Sequence, residues 1–262
     1  MSNPRWIHTE PSDSLPQCLV YPARSRHTAT VIFLHGLGDS ARELGPELKL
    51  LHQHPDLLHV KFVFPTAPTM PITAMEGNKM PSWYDCYAFD HANRTEDEIG
   101  LYQAASWIHD LINEEERDHG IPSNRVIIGG LSQGGSVSML TALTTKKPLA
   151  GVYLLSSYVP LRKKTAEIVT EFGKQAPIFW GHGMEDRQVD FSVWKELAEV
   201  LAGQLEIPFI SPDPSVKMKR DELEENGIAG LRFYSYEDLP HWFNQKELED
   251  LAIWISVLVE DK

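Results

Sequence analysis

The pentapeptide Gly130-Leu131-Ser132-Gln133-Gly134 stands between a short β-branched run, Arg125 to Gly129, and a stretch from Ser136 to Thr145 that reads as a helix. A buried strand feeding almost directly into a helix is a narrow structural demand, and it places a serine on the elbow between them. Small residues on both sides of Ser132 allow a tight, strained turn, so that the hydroxyl projects at the helix N-terminus instead of packing. That geometry suits a nucleophile.

The rest of the chain repeats the alternation of strand and helix. Thr28 to Leu34 is a nearly continuous apolar run, as expected of a strand buried on both faces, and ends in His35-Gly36-Leu37-Gly38-Asp39. A helix is expected around Leu44 to His52, then a strand over Val60 to Phe64 that stops at Pro65. Thr95 to Glu98 fits a capping box for a helix ending near His119-Gly120. Further strands are expected at Gly151 to Ser156, Pro177 to Trp180 and Leu231 to Tyr236, and Asn244 with Glu247 caps a last helix. This order indicates a single-domain α/β fold, a mostly parallel sheet with helices on both faces. Residues 1–27 read as an entry segment with an edge strand near Cys18 to Tyr21, and residues 28–262 as the catalytic domain. Residues 211–227 are charged and proline-bounded, and read as an exposed excursion.

Charge and cysteine usage exclude several functions. Twenty-four Lys and Arg against thirty-seven Asp and Glu give a formal net charge of −13, which repels phosphate backbones and argues against nucleic acid as a partner. Two cysteines, Cys18 and Cys86, form no C-x-x-C pair, which argues against a disulfide framework and against zinc or redox chemistry. No apolar run reaches the roughly 18 residues that span a bilayer, and no apolar signal core follows Met1. A cytoplasmic location is expected, with the nucleus also open to such a chain, and at most a transient encounter with membrane surfaces. No metal-ligand spacing or phosphate-cradling motif is present, so no cofactor or metal is expected, and the sequence carries no sign of oligomeric state.

A serine hydroxyl is a weak nucleophile at neutral pH and needs a base, which in turn needs a carboxylate to hold its tautomer. On a strand-elbow-helix scaffold these follow in the order serine, acid, histidine. Beyond Ser132 the only histidines are His182 and His241. His182 leaves no room for an intervening acid on its own strand end, so His241 is the expected base and His182 a support for the acid loop. Glu185, Asp186 and Asp190 are the acids that chain order allows. Oxyanion donors are expected from the backbone N–H of Gln133, next to the nucleophile, and of Leu37 in the glycine-rich loop after the early strand.

These blocks resemble the acyl-protein thioesterases, within the phospholipase and carboxylesterase group of α/β-hydrolases. The resemblance runs through Val31 to Asp39, Pro81 to Asp85, Gly120 to Arg125, Gly129 to Gly135 and on to Thr144, with Gly181-His182-Gly183. It implies Ser132 as nucleophile, Asp186 as the acid, His241 as the base, and Leu37 and Gln133 as oxyanion donors. It further implies hydrolysis of long-chain acyl thioesters, S-palmitoyl groups on protein cysteines above all. A general carboxylesterase or lysophospholipase on small esters or lysolipids is the alternative. Arg187-Gln188-Val189 departs from the proline and small apolar residues that commonly follow the acid in that family.

Between Pro65 and Trp83 lie four prolines, three methionines and Ile72. Residues 65–83 are expected to form a lid over a hydrophobic channel, with Met70, Met75, Met80 and Trp83 against the acyl chain.

Overall fold

The computed structural model describes residues 4–8, 16–90 and 92–261. Along these residues run β1 (Arg5–Ile7), β2 (Gln17–Tyr21), β3 (Ala29–Leu34), α1 (Ala41–Glu47), α2 (Lys49–Gln53), β4 (Val60–Thr66), β5 (Thr69–Ile72), β6 (Asn78–Pro81), α3 (Glu98–His119), β7 (Val126–Leu131) and α4 (Gln133–Thr144). The second half contains β8 (Gly151–Leu155), α5 (Thr165–Ile168), α6 (Glu171–Gln175), β9 (Ile178–Gly183), α7 (Phe191–Leu205), β10 (Phe209–Ile210), α8 (Arg220–Asn226), β11 (Leu231–Tyr236) and α9 (Gln245–Leu258).

Nine strands form one sheet in the order β1-β2-β4-β3-β7-β8-β9-β11-β10, while β5 and β6 pair apart from it. From β4 to β10 every neighbouring pair is parallel; only β1 and β2 run against their neighbours. The strands β3, β7, β8, β9 and β11 are buried along their whole length, as the mostly apolar runs of β3, β7 and β8 lead one to expect, while β9 and β11 also bury the polar residues His182, Arg232 and Ser235. Two cores cover the two faces. One gathers Leu101 and Ile108 of α3, Val137 and Leu140 of α4, and Trp194 and Leu201 of α7. The other gathers Leu44 of α1, Leu51 of α2, Leu223 of α8, and Leu251 and Trp254 of α9.

Four local expectations change. The strand at Cys18 to Tyr21 is not the edge, because β1 pairs outside it. The strand β4 continues through Pro65 to Thr66; beyond Val63 it keeps only β2 as a neighbour, where a residue without an N–H is tolerated. The long helix α3 is capped by Asp97, whose carboxylate accepts from Gly100 N, rather than by Thr95. Within residues 211–227, α8 places Leu223 in the core and Met218 joins it, so this segment is partly built into the α9 face. Among the described residues no helix is long and apolar enough to cross a membrane.

Candidate active site

Parallel strands all end on one side of a sheet, and every catalytic residue expected from the sequence lies just beyond such an end. Ser132 follows β7, Asp186 follows β9, His241 follows β11, and the glycine loop follows the neighbouring β3.

Ser132 has φ 51° and ψ −118° and is the N-cap of α4. This strained backbone is held by its surroundings: Ser132 N donates to Leu155 O at 2.9 Å and Ser157 Oγ donates to Ser132 O at 2.6 Å. Helix α4 starts at Gln133, three residues earlier than its sequence suggests. Gly134 packs so tightly under β3 that a Cβ would overlap the Leu34 carbonyl oxygen, and Gly130 meets the same oxygen. Close approach, not helix propensity, selects glycine there.

His241 Nε2 lies 2.9 Å from Ser132 Oγ and its Nδ1 2.7 Å from Asp186 Oδ2. The loops carrying the two residues are joined: Glu185 N donates to Leu239 O at 3.0 Å, and Gly183 packs directly against that carbonyl. Asp186 Oδ1 accepts from Gln188 N and Val189 N, each at 2.9 Å. Burial pushes the Asp186 carboxyl upward, but hydrogen bonds from His182 and His241 outweigh it and hold the group well below the usual carboxylate range. His182 is the structural partner of this loop. Trp180 Nε1 is a donor only and reaches His182 Nδ1 at 3.3 Å, so in the neutral ring the proton lies on Nε2, 2.8 Å from Val189 O and 3.2 Å from Asp186 Oδ2.

The glycine loop is tied down around His35. Ala67 N donates to His35 Nε2 at 3.0 Å, which leaves the other ring nitrogen to donate to Gly36 O at 2.7 Å. Burial pushes the His35 pKa down to about 4, so the ring is neutral at pH 7 and this tautomer persists. Gly38 N donates to Pro81 O at 2.9 Å and Trp83 Nε1 to His35 O at 2.9 Å. The N–H groups of Leu37 and Gln133 have no acceptor among the described residues, and both residues line the cavity at Ser132. An oxyanion could take two such donors. The Gln133 side chain serves a separate purpose. Its amide receives Trp83 N at 3.0 Å and donates to Tyr84 O at 2.9 Å, which clamps residues 82–84 to the elbow.

The cavity at Ser132 has a volume of about 660 Å³. None of Met70, Met75, Met80 and Trp83 lines it. Met70 and Met80 face one another across the β5–β6 hairpin, Met75 is exposed at its turn, and Trp83 is buried against the His35 ring at 5.1 Å. The apolar walls are instead Leu37, Leu131, Phe89, Tyr158 and Trp242, with Arg187 and Gln188 at one side. Tyr158 and Trp242 follow β8 and β11, where the strand-end rule could have found them. Phe89 lies in an irregular segment with no such signal. Behind the wall, Tyr84 Oη meets Ser136 Oγ at 2.7 Å and Tyr158 Oη at 2.5 Å, and Arg94 donates to Tyr158 Oη at 2.9 Å.

A serine joined through histidine to a buried carboxylate, beside two free N–H groups, can carry out acyl transfer to water. Comparison with known proteins gives the same class. Residues 16–208 match the phospholipase/carboxylesterase family model. An acyl-protein thioesterase 1 of Neurospora crassa is 46% identical over 244 residues, covering 91% of this chain and 90% of that protein. Its counterpart from Cryptococcus neoformans is 39% identical over 234 residues, 88% of this chain and 93% of that one. The crystal structure of Arabidopsis thaliana SOBER1 superposes with a TM-score of 0.73 at 29% identity, covering 89% of this chain and 100% of that one. The chain belongs to the phospholipase/carboxylesterase family of α/β-hydrolases, in the group whose relatives are named acyl-protein thioesterases.

Proposed function

We propose that this protein removes long-chain acyl groups, S-palmitoyl above all, from cysteines of cytoplasmic proteins through an acyl-enzyme on Ser132. The observation that carries the reading is the hydrogen-bonded line from Ser132 Oγ through His241 to Asp186 at 2.9 and 2.7 Å, opening on an apolar-walled cavity. The names of the relatives support the thioester substrate.

In the first step Ser132 Oγ attacks the thioester carbonyl carbon and His241 Nε2 takes its proton. Asp186 holds Nδ1 and offsets the imidazolium charge. The N–H groups of Leu37 and Gln133 receive the oxyanion; one such donor is worth roughly 10²- to 10³-fold in turnover. The intermediate collapses, the C–S bond breaks, and His241 returns the proton to the leaving thiolate. Water then repeats the sequence on the Ser132 ester and releases the fatty acid. Each methylene of the acyl chain that leaves water adds about 0.8 kcal/mol to binding.

Matched thioesters, oxygen esters and S-acylated peptides of two to sixteen carbons test the reading, with the Ser132→Ala variant as blank. kcat/KM rising with chain length and favouring thioesters is expected. Equal rates on short oxygen esters would turn the assignment to a general carboxylesterase.

A further inference from the structure

The cavity beside Ser132 holds a carboxyl that the line from serine to Asp186 does not use. Asp39 lies in the loop after β3, its N–H closing a turn on Gly36 O at 3.3 Å. A methyl group placed on Gly36 would sit 3.2 Å from Asp39 Oδ2 and 3.6 Å from Ser132 Cβ, so carboxylate and serine border the same methyl-sized space over Gly36. Asp39 is half-buried and lines the same cavity as Ser132 and His241.

Among the described residues no hydrogen-bond donor reaches the Asp39 oxygens, in contrast to Asp186, which is fully satisfied. Two other groups on the cavity wall are already engaged: Tyr158 Oη receives Arg94 and shares a bond with Tyr84, and Cys86 Sγ receives Arg94 at 2.8 Å. Glu43 on α1 and His241 are the titratable groups that act on Asp39, and Arg187 lines the same cavity. Burial, with Glu43 adding to it and His241 opposing it, pushes the Asp39 pKa up to about 6, so the group is an acceptor at neutral pH. A desolvated carboxylate without a donor, beside the reacting serine, is costly unless something fills its coordination.

We propose that Asp39 positions the water that hydrolyses the acyl-enzyme. The proposal rests on Ser132 being the acylated residue. An attacking water has two protons and only one goes to His241 Nε2; the other needs an acceptor if the oxygen lone pair is to face the acyl carbon. Asp39 accepts that second hydrogen bond without taking the proton. As the new C–O bond forms, the carbonyl electron pair moves to the oxyanion donors and His241 gains the first proton. Collapse breaks the bond to Ser132 Oγ, His241 protonates that oxygen, and the second proton leaves on the carboxylic acid. The acylation step has no such water, because the attacking group is the serine itself. Asp39 therefore acts on one half of the cycle.

Methanol separates this role from a merely structural one. Its single O–H proton goes to His241, and its methyl group takes the place of the proton that Asp39 would hold. With a p-nitrophenyl ester in rapid-mixing experiments, Asp39→Asn should slow hydrolytic deacylation about 10- to 100-fold while acylation changes by less than about twofold. The yield of methyl ester over free acid in added methanol should rise by the same factor. Asp39→Ala gives a second reading by both measures. Acylation falling together with deacylation, or an unchanged methyl ester to acid ratio, would overturn the proposal. Ser132→Ala, run alongside, reads the nucleophile separately: its burst vanishing while Asp39→Asn leaves the ratio unchanged would uphold the serine and remove Asp39 from the mechanism.

Discussion

His182 Nε2 and Asp186 Oδ2 lie 3.2 Å apart with both side chains shielded from solvent, so the carboxylate oxygen that faces His241 at 2.7 Å is held by two imidazoles. Only one of them reaches Ser132. The other is fixed by Trp180 and the Val189 carbonyl, and its effect on the reaction passes entirely through Asp186.

Replacing His182 with phenylalanine keeps a ring against Phe233, its stacked neighbour at 6.0 Å, but removes the donor. Losing a hydrogen bond to a charged group should lower kcat/KM about 10- to 100-fold with little change in KM. The Asp186 carboxyl then rises toward its ordinary value. A carboxyl whose folded-state pKa is depressed contributes stability that is present above its unfolded pKa and is lost as pH falls. Wild type should therefore exceed the variant in stability at pH 7, and this part of the difference should shrink as pH falls through 3.8, the ordinary value for the group. Urea denaturation at several pH values measures it, and a gap independent of pH would show that His182 serves packing alone.

Two glycines should respond in opposite directions to alanine. At Gly134 the added methyl runs into backbone, the Leu34 and His35 carbonyls, which cannot turn aside. Gly134→Ala should cost about 3 kcal/mol or more, the upper end for overpacking, and displace the elbow. Gly203 lies on the exposed side of α7 with nothing near it, so Gly203→Ala should add about 0.5 to 1 kcal/mol through helix propensity. Thermal unfolding with kcat/KM decides both.

How much of this is legible in the chain depends on where each contact arises. Ser132 and His241 can be placed together because each follows a strand readable from its own residues, and parallel topology then brings the strand ends to one side; that rule leaves Glu185, Asp186 and Asp190 equally open after β9, and only the family resemblance selects Asp186. His182 as a support for the acid loop is readable from chain order. The β5–β6 hairpin is not readable: its strands are four residues long, contain Pro71 and Pro81, and show no alternation, so a methionine-rich loop reads as an acyl-chain lid. The contacts that place Trp83 in the core, to His35 and Gln133, cross 48 and 50 residues of chain and leave no local signature. The same holds for the bond between Tyr84 and Tyr158, 74 residues apart, which builds the cavity wall.

Asp39 links activity to stability with the opposite sign from Asp186. Its pKa is raised by folding, so the folded state holds the proton more tightly, and stability falls as pH rises from the ordinary 3.8 through about 6. Asparagine cannot ionise. Asp39→Asn should unfold at a temperature about 2 °C above wild type at pH 7.5, after allowance for its partial exposure, and lose that advantage near pH 4. Scanning calorimetry across this range checks it; a variant less stable than wild type at pH 7.5 would mean that the carboxylate has a partner in the folded protein.

If Ser132 carries the acyl group between the two halves of the reaction, the acyl-enzyme can be caught there. Mass spectrometry of the enzyme quenched in acid during turnover of an S-palmitoyl peptide is the most direct measurement. A single palmitoyl adduct on the peptide containing Ser132, absent from Ser132→Ala together with the activity, is the predicted result. Near-normal hydrolysis by Ser132→Ala, or an adduct on another residue, would contradict it.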